Sequence, residues 1–101
     1  MDLRARILAS MKQAMKEKDA ERLSTVRLIS AAIKDRDIAA RADGNDDGVD
    51  ETEVMAILGK MTRQRQESAR TYEEAGRLDL AEREMAEIKV IEEFLPKQLS
   101  A

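Results

Sequence analysis

At 101 residues the chain is a single small domain, with 39% charged and only 2% aromatic residues and a net charge of -3. That composition belongs to long solvated helices and argues against a sheet protein, which wants more Val, Thr and aromatic residues. Cysteine and histidine are both absent, which excludes disulfides, thiol nucleophiles, cysteine metal sites and the side chain most used for proton transfer near neutral pH.

Spacing and caps predict four helices. The first covers about 2–17, with Leu3, Ile7, Met11 and Met15 recurring every fourth residue and Leu8 and Ala14 beside them. Asp2 at its start and Lys16 and Lys18 at its end suit the helix dipole. Asp19 caps a second helix over about 20–40 whose apolar stripe is Leu23, Val26, Ile29 and Ile33. An acidic loop, 43–50, follows. Asp50 with Glu53 marks a capping-box-like start for the third helix, about 51–75, with Val54, Ile57, Leu58, Met61, Ala69 and Tyr72 on one face. Gly76 ends it. Asp79 with Glu82 repeats the start signal for a fourth helix, about 80–95, which buries Ala81, Met85, Ile88, Ile91 and Leu95 and stops before Pro96. The expected fold is all-α, a four-helix antiparallel up-and-down bundle. Ser100 is a helix-capping residue type just before the last residue, so the expectation is the N-terminal part of a two-part helical protein.

The acidic loop imitates a calcium site. Asp43, Asn45, Asp47, Gly48 and Glu51 fit positions one, three, five, six and nine of the EF-hand pattern, but position twelve is Val54. The closing bidentate carboxylate is missing, and the expectation is a solvated loop that holds no metal. Serines without a histidine partner and the lack of any phosphate-binding loop lead to the same expectation for catalysis: no catalytic residue and no cofactor. No apolar run approaches the length of a membrane span and no leader-like start is seen, from which a cytoplasmic protein without a membrane partner is expected.

Charge is more informative by segment. Lys60, Arg63 and Arg70 of helix three meet one opposing carboxylate, Glu67, while Arg27, Lys34 and Arg41 of helix two fall seven apart in one stripe. With Arg77 these cations are the candidates for gripping a phosphate backbone, or else a solvated surface on charged helices. Arg65 differs from them. It stands in the middle of helix three's apolar stripe, where an arginine is rare unless paired. Counting outwards from the turn places it near Lys89, within reach of Glu84 and Glu92, the expected partners in a buried ion pair.

The series Gln64-Arg65-Gln66-Glu67-Ser68, Gly76-Arg77-Leu78-Asp79-Leu80 and Leu95-Pro96-Lys97-Gln98-Leu99-Ser100, with Arg27, Ile33-Lys34, Lys60, Tyr72, Glu84 and Glu87, resembles the YqeY-like family throughout the chain. The resemblance implies a helical bundle followed by a smaller helical subdomain. It further implies kinship with the tail of the B subunit of the glutamine-dependent aspartyl/glutamyl-tRNA amidotransferase, which contacts tRNA while the chemistry lies elsewhere. Any link to carbon-nitrogen ligase activity is then one of association. The expectation is a noncatalytic module that binds tRNA or a tRNA-handling enzyme; the alternative is an adaptor that binds a partner helix and no RNA.

Overall fold

The computed structural model describes residues 2–96, so the Ser100 cap and Lys97 to Leu99 lie outside the described residues. Four α-helices run in order, α1 (Leu3–Glu17), α2 (Ala20–Ala42), α3 (Glu51–Glu74) and α4 (Leu78–Glu92). Three of the four starts are capped by an aspartate, at Asp19 and Asp50 as expected and also at Asp2, which the sequence marks only as suiting the dipole. Asp2, Asp19 and Asp50 each accept a bond from the backbone N–H three residues on, at Ala5, Arg22 and Glu53. Between α1 and α2 the chain turns at Lys18, which adopts a left-handed φ of 56° while the Asp19 N–H reaches back to the Ala14 carbonyl. Gly76 does the same after α3 with φ 74°, and the Arg77 N–H closes the motif on the Tyr72 carbonyl at 2.8 Å.

The start of α4 is earlier than expected. Arg77 occupies the cap position without a side-chain cap bond, and Asp79 falls inside the first turn, paired with Arg77 at 3.5 Å. The carboxylate therefore acts on the helix dipole from within the first turn rather than as a cap. At the other end, the N–H groups of Glu93, Phe94 and Leu95 bond three residues back, so the chain tightens before Pro96, which has no N–H to continue.

The helices form a compact all-α bundle made of two hairpins, α1–α2 and α3–α4, joined by α2 lying against α4 and α1 against α3. Val26 and Ile29 of α2, Leu58 of α3 and Ile91 of α4 are fully enclosed at its centre, with Leu3 and Ile7 of α1 and Phe94 completing it. The stripe expected on α1 is corrected at its end: Ala14 is enclosed, whereas Met15 is 55% and Leu8 52% exposed. A four-residue repeat gains about 40° per step on a helix of 100° per residue, so Met15 has drifted about 120° from Leu3 while Ala14 stays in line. Met85 of α4 is likewise exposed instead of buried.

Candidate nucleic-acid interface

The 43–50 segment is the first place to locate chemistry, because the calcium-like pattern sits there. Asn45 folds the loop on itself: its Oδ1 accepts the Asp47 N–H, and its Nδ2 donates to the Gly48 carbonyl. Val49 then inserts into the core. Its N–H donates to Asp37 Oδ1 at 2.9 Å, and Arg4 clamps the same carboxylate at 2.6 Å while donating to the Val49 carbonyl. Gly48 is required here; with φ at 83°, a Cβ would stand 2.7 Å from Asp37 Oδ1. Glu51 accepts the Leu3 N–H at 2.9 Å, and Val54, where the closing ligand would stand, is 1% exposed. The geometry is that of a latch holding the loop against α1 and α2. Arg4 and the Val49 N–H together hold the Asp37 carboxyl below its ordinary 3.8.

Arg65 is in an interhelical ion pair, with a different partner from those expected. Its Nε donates to Glu87 Oε1 at 2.9 Å and its Nη1 to the Met61 carbonyl, and the two side chains are 16% and 25% exposed. Neither Glu84 nor Glu92 makes the bond. Because α4 begins at Leu78, the hairpin is centred near Gly76, and residues 65 and 87 are the ones that face each other. Glu84 lies one turn away. Burial, and then the charge of Glu87, raise its pKa above the usual 4.5, opposed by Arg65. Glu92 instead borders a groove beside Arg63.

The candidate cations divide between two regions. Lys60, Arg63 and Arg70 are exposed along the outer face of α3, opposite its buried stripe of Val54, Leu58 and Met61. Arg63 and Gln66 line an open groove of about 850 Å³ closed on the far side by Glu92, Leu95 and Pro96. Its guanidinium lies back over Gly59, where a Cβ would be 3.5 Å from Nη1. Arg27 and Lys34 are exposed on α2, and Lys34 lines a different groove with Leu8 of α1. The structure thus does not join the two stripes into one grip. Arg77, paired with Asp79, sits apart at the α3–α4 turn.

Among the described residues the ion pairs engage Arg4, Arg22, Arg65 and Arg77. None engages Lys60, Arg63, Arg70, Arg27 or Lys34, so those cations keep their full charge for a ligand. Besides Arg4 of the latch, two further structural arginines were missed by sequence reasoning. Arg22 holds Glu93 at 2.9 Å, and Arg6 donates to the Glu93 carbonyl and lies 5.6 Å from the centre of the Phe94 ring. Both tie the α1–α2 hairpin to the end of α4.

The profile of the family described as Yqey-like protein matches residues 4–101. Among similar proteins, the "Altered inheritance of mitochondria protein 41, mitochondrial" of Meyerozyma guilliermondii is 40% identical over 84% of this chain and 42% of its own length. The proteins of the same name from Vanderwaltozyma polyspora and Lachancea thermotolerans are 35% and 34% identical, over 84% and 94% of this chain and 44% and 49% of theirs. The chain spans less than half the length of these relatives. Their names overturn the expectation of a cytoplasmic protein. That expectation rested on the lack of a leader-like start and of a spanning helix, and neither feature selects a compartment.

Proposed function

The chain belongs to the Yqey-like protein family, and on that premise we propose that it is a noncatalytic helical module that binds tRNA or a tRNA-handling enzyme, associated with amidotransferase chemistry without performing it. The observation that supports this reading is the run of exposed cations Lys60, Arg63 and Arg70 along one face of α3, without an ion pair among the described residues, beside the groove that holds Gln66. Cations fixed on a rigid helix suit a phosphate backbone, which asks for positive charge at intervals and no particular fold. Tyr72 and Phe94 are the chain's whole aromatic complement and Phe94 is buried, so base stacking contributes little and affinity rests on charge. The relatives' names support a mitochondrial setting.

The test is tRNA binding at several salt concentrations. Three phosphate contacts give a slope of log K against log salt of roughly -2 to -3, at about 0.7 to 0.9 per contact. Changing Arg63→Glu together with Arg70→Glu is expected to abolish binding and leave the helical circular dichroism unchanged. Absence of binding at low salt, or binding indifferent to the double change, would refute the RNA reading.

The adaptor reading keeps one observation in its favour. Between the start of α2 and α4 runs an open groove of about 740 Å³ whose lining includes Ala20, Ala86 and Val90, the acids Glu21, Asp79, Glu82 and Glu87, and the bases Arg22 and Arg83. Apolar side chains with more acids than bases around them match a basic amphipathic helix. Binding of such a helix, lost on changing Glu82→Lys and insensitive to Arg63→Glu, would favour this reading over RNA.

A further inference from the structure

The charge of the chain is unevenly divided. Residues 1–42 hold ten Lys and Arg against six Asp and Glu, whereas residues 43–101 hold eight against fifteen. A protein that is acidic as a whole therefore presents a basic α1–α2 hairpin. On its outer side the cations alternate with apolar side chains that the core does not use. Along α1, Leu8, Lys12 and Met15 follow at spacings of four and three, all exposed; along α2, Lys34, Ile38 and Arg41 do the same. Leu8 and Lys34 line the same groove between the two helices, which places both lines on one side of the hairpin. Leu8, Met15 and Ile38 are each more than half exposed. The carboxylate in that groove, Asp37, is already held by Arg4 and the Val49 N–H.

We propose that this face is a docking surface for an anionic lipid bilayer, which the protein engages peripherally. No helix among the described residues is long and apolar enough to cross a membrane, and none is needed. Cations gain from the negative surface potential of the bilayer, and the exposed Leu, Met and Ile side chains insert among the headgroups between them. The apolar side chains select this occupant over a nucleic acid. A phosphate backbone would reward the lysines and arginines but offers nothing to Leu8, Met15 or Ile38, and the face carries no aromatic ring for a base. The RNA reading concerns α3, so each proposal can fail alone.

Sedimentation with vesicles tests it, comparing phosphatidylcholine alone with phosphatidylcholine containing phosphatidylserine. Binding is expected only to the second kind and is expected to weaken with salt. Lys12→Glu with Lys16→Glu, the latter an exposed lysine next to Met15, removes two cations at roughly fivefold each, so a loss of at least about 25-fold is expected. Leu8→Ser with Met15→Ser, at exposed positions that leave the core intact, is expected to weaken binding several-fold with all charges kept. Arg63→Glu with Arg70→Glu is expected to leave vesicle binding in place. No binding to phosphatidylserine vesicles at low salt overturns the proposal. So does binding that ignores the Leu8 and Met15 changes, or a face that loses tRNA and not vesicles when Lys12 and Lys16 are reversed.

Discussion

Arg65 shows what a single residue reveals in a sequence and what it conceals. A guanidinium in the centre of an apolar stripe has to be paired, so the ion pair was legible; its partner was not. Opposition across a hairpin depends on where the turn is centred, and two residues of difference in the start of α4 change Glu84 and Glu92 for Glu87. The same logic applied to α2 would have found Asp37, which follows Ile29 and Ile33 at four-residue spacing and is an acid in a core register. The energetics of the Arg65 pair follow from its burial. Arg65→Ala leaves the part-buried Glu87 carboxylate without its donor, while the Met61 carbonyl keeps its helical N–H partner, and is expected to cost about 2 to 3 kcal/mol. Arg65→Met with Glu87→Leu removes both charges and is expected to come much closer to neutral, since well-packed apolar side chains replace buried ion pairs at little cost. Urea unfolding of the two variants checks the contrast; equal losses would mean that packing of the arginine stem, rather than the orphaned charge, sets the cost.

At the scale of elements, helices and caps were readable because they are local, whereas the latch on the acidic loop joins residues 33 and 45 apart in sequence. Nothing in the calcium-like spacing announces that Val49 enters the core or that Asp37 receives its N–H. The latch has a pH signature. Its carboxyl, held below 3.8 in the fold by the Arg4 guanidinium first and the Val49 N–H second, contributes stability that is fully present above that value and is lost as pH falls through the folded value. Glu84 acts in the opposite sense. Its folded value is raised above 4.5 by burial and by Glu87, so its ionisation opposes folding, and lowering the pH relieves that strain first. Asp37→Asn is therefore expected to flatten the loss of stability below about pH 4, and Glu84→Gln to raise stability at neutral pH, an advantage that shrinks as the pH falls towards 4.5 because the wild-type carboxyl is then protonated. Denaturant midpoints measured from pH 3 to pH 7, about the span over which carboxylates titrate, separate the two contributions; an acid limb unchanged by Asp37→Asn would show that the latch does not govern it.

Across the whole molecule, the four-helix architecture followed from periodicity, but the order in which the helices pack did not. Which helix α2 lies against depends on long-range packing, in which Arg22 also pairs with Glu93, and neither residue looks unusual in its own segment. The packing leaves stability uneven. Enclosed side chains from all four helices, with Phe94 just beyond α4, form one cluster that spans Leu3 to Phe94 and includes Ile29, Leu58 and Ile91. Beyond Met61 and Ile91 the α3–α4 hairpin has left that cluster; Ile88, Ala69 and Ala81 supply the further buried apolar contacts, Leu78 and Met85 are exposed, and Arg65 with Glu87 provides the main polar tie. Few apolar contacts per turn mean low free energy of local opening, because unfolding the tip exposes little surface in return for the backbone freedom it recovers. Amide hydrogen exchange is expected to be fastest, within the helices, at Ala69 to Tyr72 and at Leu80 to Glu84, and slowest at Val26 to Ile33 and Thr62, where opening requires the whole core to come apart. Arg65→Ala is expected to accelerate exchange in the tip by more than it accelerates exchange in α2. Uniform protection along α3 and α4, rising and falling together with α2, would instead mean that the hairpin and the core unfold as one unit.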